Sequence, residues 1–442
     1  AASSLVAANA DGVPVYVMLP LNAITSDNQV NNPSQLSSWF KELKGGGVTG
    51  VMSDTWWGLT EPEPQRYNFT GYQSLLKLVA NAGLKFQAVM SFHSCGGNVG
   101  DTCNIPLPSW VLSVGDSHDI FYEDAQGSKD PEYVSLFVDE EPLFDGRTPL
   151  QIYSDFMNAY AQAMAPFIKD GTIAEIEVGM GPAGELRYPA YRTPWTFCGI
   201  GEFQASGSYA LANLKAAATA AGNADWGNGP PDNCGNYNSH LPFTVGFWST
   251  NVDQNNYQSA YGKFFLQWYS GELIAHAERV LPLAQAVFEP LGVPIAGKVS
   301  GVHWWYLSPQ HAAECTAGYY NTNNNNAYLE IAQAFAKYNA DFDFTCMEMT
   351  DNESGFAACD SGPVQLVQQA KGAAHEAGID FSGENALNVY STSSYQQIEY
   401  QSAALGYLIN EFTYLRLSST LFQGNNFATF TSFVKTMAGL SG

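Results

Sequence analysis

Eight apolar runs of strand length, amphipathic helical stretches between several of them, and polar residues placed where those runs end predict an α/β protein. The expected architecture is a single (β/α)8 barrel of the TIM type, spanning residues 1–442 as one domain. The candidate strands are Val13 to Leu21, Val48 to Trp56, Leu84 to Phe92, Ile173 to Met180, Lys263 to Trp268, Pro294 to His303, Asp341 to Met347 and Ile379 to Phe381. Each is rich in β-branched or aromatic residues, as a buried parallel strand requires.

The helical stretches are Leu36 to Leu43, Tyr72 to Asn81, Ile152 to Ile168, Glu272 to Phe288, Tyr328 to Tyr338 and Val364 to Ala377, with apolar residues three and four apart. Asn81-Ala82-Gly83 and Ala377-Gly378 put glycine where a left-handed residue ends a helix, just ahead of a strand. Long loops follow the third and fourth strands. The Gly/Asn/Pro-rich segment Gly222 to Asn238 and the run Asn321 to Asn326 read as loops within the domain, not linkers. A last helix lies around Val434 to Leu440, and neither an internal repeat nor an appended module is evident.

Composition fits this size of core. Hydrophobic residues make up 45% of the chain and charged ones 14%, too little charge for disorder. Acidic residues outnumber basic ones 42 to 18, a formal charge of −24, so no cationic surplus exists to displace counterions from phosphates or to hold anionic lipid. Nucleic acid and membrane surfaces are therefore excluded as partners. The 24 Tyr, 26 Phe and 10 Trp belong mostly to the core, but they also suit a neutral ligand with apolar ring faces, such as a sugar. No run approaches the length of a membrane span, and Ala1 opens without a basic leader, which reads as a mature, soluble form. Seven cysteines form no CxxC pair and no Cys/His cluster of zinc spacing, which points to disulfides and, with sequons at Asn68 and Asn352, to an extracellular protein.

Active sites of this fold lie at the carboxyl ends of the strands. Here Asp54 closes the second candidate strand, His93 the third and His303 the sixth; Thr345 lies in the seventh, while Glu185 and Glu384 follow the fourth and eighth. Glycoside hydrolysis needs one protonated carboxyl and one ionised one. Glu185, in Gly-Met-Gly-Pro-Ala-Gly-Glu-Leu-Arg-Tyr-Pro, leaves a buried strand by a glycine-rich turn where aromatic neighbours would desolvate it, which suits an acid. Glu384, in Ser-Gly-Glu-Asn-Ala-Leu, has Asn385 beside it, and Lys298 or Arg416 could keep it ionised, which suits a base.

These motifs resemble the β-amylase family over nearly the whole chain. The resemblance rests on His93-Ser-Cys-Gly-Gly-Asn-Val-Gly-Asp101, Gly181-Pro-Ala-Gly-Glu-Leu-Arg-Tyr-Pro189, Lys298-Val-Ser-Gly-Val-His-Trp-Trp305, Phe344-Thr-Cys-Met-Glu-Met349 and Gly383-Glu-Asn-Ala-Leu387. It implies an inverting exo-hydrolase that releases β-maltose from the non-reducing ends of α-1,4-glucans, with Glu185 as general acid and Glu384 activating water. Inversion calls for carboxyls roughly 6.5 to 9.5 Å apart. It further implies that Asp54, His93, Asp101, Lys298, His303, Thr345, Asn385, Ala386 and Arg416 bind glucose units, with Asp101 in a lid hinged at Gly96 to Gly100. A catalytically silent glucan-binding relative is the alternative; every implied position holds a residue able to serve.

The resemblance also implies a bridge between Cys95 and Cys103, as in bacterial members, and a free, reagent-sensitive thiol at Cys346. The remaining pairs are expected as Cys198 with Cys234 and Cys315 with Cys359. Bacterial members often carry calcium and a starch-binding module. Here Glu61 and Asp155 have counterparts among the implied ligands, but Pro64 and Ile152 stand where acids would be needed, so no metal and no other cofactor is expected. The expected partner is starch or maltodextrin, bound by a monomer.

Overall fold

The computed structural model describes residues 12–97, 101–250 and 255–441. Strands β1 (Val15–Met18), β2 (Gly50–Trp56) and β3 (Lys85–Ser91) are followed by a short antiparallel pair, β4 (Phe121–Glu123) and β5 (Lys129–Val134). Then come β6 (Ile173–Val178), β7 (Ile295–Val299), β8 (Ala340–Phe344), β9 (Phe381–Glu384) and β10 (Phe412–Tyr414). All but β4 and β5 join a closed parallel barrel in the order β1-β10-β9-β8-β7-β6-β3-β2, the (β/α)8 architecture the alternation predicts. Pairing of Val15 with Phe412 closes the ring.

Two of the strand expectations need correction. Lys263 to Trp268 is no strand; it lies inside a helix running Ala260–Phe288, capped by Ser259, whose hydroxyl accepts from the Gly262 N–H. Its buried residues, Phe265, Leu266, Trp268, Tyr269, Leu273, Ala277, Val280, Leu281, Ala284 and Phe288, keep the three-and-four spacing throughout, so the local apolar run is one segment of a longer helical face. The missing barrel member is β10, three residues long and too short to stand out as a run. The other expected helices form, and Gly83 and Gly378 take φ of 70° and 75° at their ends. The helix Thr392–Ala403 is finished differently: the buried ammonium of Lys371 donates to the carbonyls of Gln401, Ser402, Ala404 and Tyr407, at 3.3, 3.0, 2.7 and 2.7 Å.

The barrel interior is not purely apolar. Met18, Met52 and Val89 form a small cluster. Beside them the carboxyls of Glu175, Glu177, Asp343 and Glu411 are all buried. Gln87 donates to Glu175 at 3.1 Å and to Glu411, and accepts from Thr413 at 3.2 Å. Burial, with Asp341 and Asp380 adding to it, pushes Glu411 up to about 8, so this acid holds its proton near neutrality.

Cys95 is bridged to Cys103, as the resemblance implies, but Cys198 pairs with Cys359 rather than Cys234. Cys234, Cys315 and Cys346 are free and buried, so two bridges and three thiols replace the expected three and one. The reason is tertiary. The loop after β6 folds across the barrel mouth to meet the loop after β8, and Trp305 ties them: its indole donates to the Cys198 carbonyl and its N–H to the Cys359 carbonyl, both at 2.7 Å.

Candidate active site

The carboxyl ends of β2, β3, β6, β7, β8, β9 and β10 converge on one charged cluster. At its centre is Lys298 in β7. Its ammonium is ion-paired with Glu384, the last residue of β9, both side chains being almost wholly enclosed. Burial works against the lysine charge, but Glu384, Glu177 and Glu185 outweigh it and hold the ammonium above the ordinary lysine value. Glu384 accepts no well-aligned hydrogen bond from a described residue, so Lys298 is its close partner and its oxygens keep the capacity to accept from a water.

Glu185 reaches the same cluster from the turn after β6. The Leu186 N–H donates to the Lys298 carbonyl at 2.7 Å, pinning the turn to β7. Gly184 has φ of 77°, a conformation that favours glycine, immediately before the candidate acid. The surroundings differ from the aromatic pocket expected. Arg187, itself fully buried, donates to Glu185 Oε2 at 2.6 Å, and its guanidinium lies 4.2 Å from the centre of the Tyr191 ring. The Tyr191 hydroxyl is 3.4 Å from the same oxygen. An arginine so placed stabilises the carboxylate left behind once a proton has been given away.

Around these two lie most of the other predicted residues. Asp54 in β2 accepts from Ser91 at 2.9 Å; burial pushes its carboxyl up, opposed by Arg416, Ser91 and Lys298. His93 follows β3 with its ring edge-on to Trp56 at 5.0 Å, and burial, with Lys298 and Arg187 nearby, pushes the imidazole down to about 3. Near neutral pH it is a neutral donor or acceptor. Asp101 accepts from the Gly96 N–H at 2.7 Å, holding the bridged Cys95–Cys103 loop together; the centre of the expected lid, residues 98–100, lies outside the described residues. Arg416, just beyond β10, is charge-coupled to Asp54, Glu384 and Asp101.

His303 lies in the loop after β7, not at a strand end. Its Nδ1 is 2.6 Å from the Ser361 hydroxyl, and burial pushes it down to about 4. Phe197, Trp304 and Phe356 surround it at ring-centre distances of 5.8, 5.5 and 4.8 Å, an aromatic platform with Phe197 45% exposed. Thr345 follows β8 directly. A Cβ on Gly301 would lie 2.7 Å from the Cys346 sulfur and 3.1 Å from Thr345 Cγ2, so glycine is what lets the two loops meet. Cys346 is a free thiol, as expected; it is fully enclosed and burial pushes it up. The Asn385 side chain is spent on structure: it donates to the carbonyls of Leu387, at 2.8 Å, and Leu415, and accepts from the Leu415 N–H at 2.8 Å.

Three acids emerge whose roles sequence reasoning missed, and only Glu348 lies within one of the motifs. Glu348 binds the N–H groups of Ala386, at 3.0 Å, and Leu387, at 2.6 Å, while the Met347 N–H donates to the Glu384 carbonyl at 3.0 Å. The loop after β8 thus holds the segment after β9 in place. Burial pushes Glu348 up to about 7 despite those donors. Glu132 accepts from the Ala183 N–H at 2.8 Å and steadies the turn before Glu185; burial and Asp130 push it up to about 8. Glu177, in β6, is pushed up to about 7 by burial and faces Lys298 and Glu384. Only the position of Glu348, four residues past the end of β8, hinted at function. Away from the cluster, Glu61 accepts from Trp57 and Gln65, both at 2.7 Å, and Asp155 pairs with Arg147 at 3.1 Å.

The family model of glycosyl hydrolase family 14 matches residues 16–441. The chain belongs to glycosyl hydrolase family 14. The β-amylase of Vigna unguiculata is 45% identical over 437 residues, covering 96% of this chain and 87% of its own. The chloroplastic β-amylase 2 of Oryza sativa is 47% identical over 440 residues, covering 96% and 77%. The crystal structure of the catalytic domain of a β-amylase from Paenibacillus polymyxa superposes with a TM-score of 0.81 at 32% identity, covering 97% of this chain and 99% of that one. Family 14 membership makes this a glycoside hydrolase on a barrel whose polar mouth is the cluster described above.

Proposed function

We propose that this chain is a β-amylase that hydrolyses α-1,4-glucosidic bonds of starch and maltodextrins from their non-reducing ends and releases β-maltose by inversion. The observation that carries the reading is Lys298, ion-paired to Glu384 and joined through its own backbone carbonyl to the turn bearing Glu185. One buried cation thus stands between two carboxylates of unlike surroundings. Among the described residues no hydrogen bond joins Glu185 to Glu384, which suits a pair working from opposite sides of a sugar ring.

In this reading Glu185 protonates the glycosidic oxygen, and Arg187 and Tyr191 stabilise the carboxylate that results. Glu384, ion-paired with Lys298, takes a proton from the water that attacks the anomeric carbon. Asp54, His93, Asp101, Lys298, His303, Thr345, Arg416 and the backbone of Asn385 and Ala386 hold glucose units, with the Phe197, Trp304 and Phe356 rings beneath a sugar face. Two disulfides support a secreted protein. Glu185→Gln and Glu384→Gln should each lose more than about 1,000-fold in turnover of maltopentaose while still binding it. Retained hydrolysis in either variant removes that residue from its role.

A further inference from the structure

A cavity of about 620 Å³ opens on the rim of the barrel, lined by none of the active-site residues. It falls in the range of ligand clefts, roughly 300–1,000 Å³. Its wall is the asparagine run that reads in the sequence as a mere loop, together with Tyr306, Gln369, His311 and the start of the helix Ala260–Phe288 at Lys263. Tyr306 lies three residues beyond His303, so the loop after β7 turns one side chain to the catalytic cluster and another to this cavity.

The wall is built in advance of any ligand. The Tyr306 hydroxyl donates to Gln369 Oε1 at 2.9 Å, and the Gln369 amide donates to Asn321 and Asn326 at 2.8 and 3.0 Å. Asn321 in turn donates to the buried Glu314 at 3.0 Å. The amides of Asn323 and Asn325 donate to the carbonyls of Tyr257 and Tyr320 at 2.9 and 2.8 Å. Asn323 and Asn324 sit at φ of 56° and 65°, a backbone region that asparagine accepts more readily than most residues. With the amide ends pinned, the carboxamide oxygens of Asn323 and Asn325, the whole carboxamide of Asn324 and the ammonium of Lys263 have no protein partner among the described residues.

Neutral carboxamides that accept and donate, tyrosine rings and a single unpaired cation match a neutral polyhydroxylated ligand better than an anion or a metal ion. We propose that this cavity is a second α-glucan site, which holds another segment of the polymer while a chain end occupies the active site. The inference rests on the β-amylase reading above.

The test is calorimetric titration of Glu185→Gln with maltoheptaose, followed by the same titration after adding Lys263→Ala and Asn324→Ala, both exposed and free of internal bonds. Two equivalents that fall to one, the tighter site unchanged, support the site. In the active background the double variant should keep its kcat/KM on maltopentaose and adsorb at least about threefold less to insoluble starch, the equivalent of about 0.7 kcal/mol. Tyr306→Ser provides an independent removal of the wall. One equivalent throughout, or two that survive all three substitutions, overturns the second site but not the function. No binding at all overturns both.

Discussion

Lys298→Met keeps a long unbranched stem and deletes the charge that pairs with Glu384. Breaking a buried ion pair by removing one partner costs roughly 3–5 kcal/mol, because the other charge is left enclosed. At about 1.4 kcal/mol per tenfold change in an equilibrium constant, that penalty is worth about 100- to 4,000-fold, and protonating the stranded carboxyl relieves it. Glu177 and Glu185, which also feel the lysine charge, add to the effect. A base must be ionised to act, so the acid limb of kcat/KM should move up by at least about two pH units. At pH 5 the variant should turn over maltopentaose at least about tenfold more slowly than the parent, and the deficit should shrink as pH rises. The assay is the full pH profile of kcat/KM, with thermal unfolding to show that both proteins are folded. A uniform loss at every pH, with the limb unmoved, would mean that Lys298 only holds sugar, and the reasoning about the base would fail.

Glu348→Ala removes the acceptor that holds the Ala386 and Leu387 N–H groups, at a cost of about 1–3 kcal/mol. Turnover of maltopentaose should fall about tenfold and KM should rise, with partial rescue in Glu348→Gln; unchanged kinetics would show that the segment after Glu384 needs no clamp. Asp341 is pushed up from 3.8 to about 7 by burial and by Asp380. A folded-state value above the unfolded one means that the native state binds more protons, so stability falls as pH rises between about 4 and 7. Asp341→Asn should therefore gain up to about 4 kcal/mol at pH 8 and less than half of that at pH 5, read from urea unfolding. A pH-independent gain would contradict the burial argument.

The β2, β3, β6 and β7 strands were legible because each is a mainly apolar run bounded by turns, broken by residues such as Asp54, Gln87, Glu177 and Lys298. The Lys263 to Trp268 segment defeated the same logic: six residues cannot distinguish a buried strand from one and a half turns of a helix whose apolar face runs on to Phe288. β10 escaped for the opposite reason, since Phe412-Thr-Tyr owes its strand identity to its neighbours β1 and β9 and not to its own pattern. At the site, the charged residues at strand ends stood out one by one, and the family resemblance joined them. What the chain could not disclose was pairing across space. The Arg187 contact to Glu185, the Glu348 clamp on Ala386 and the Cys198–Cys359 bridge each depend on how long loops fold over the barrel mouth. Asn385 shows the converse, a motif residue whose side chain turns out to lock a loop to Leu415.

Glu185 and Glu384 are proposed to act together on an α-1,4-glucan with inversion. A proton NMR time course of the purified enzyme with maltopentaose, recorded before mutarotation mixes the anomers, tests substrate, bond and stereochemistry at once. The first signal to grow should be that of β-maltose; initial release of α-maltose, or of glucose alone, would contradict the roles given to Glu185 and Glu384.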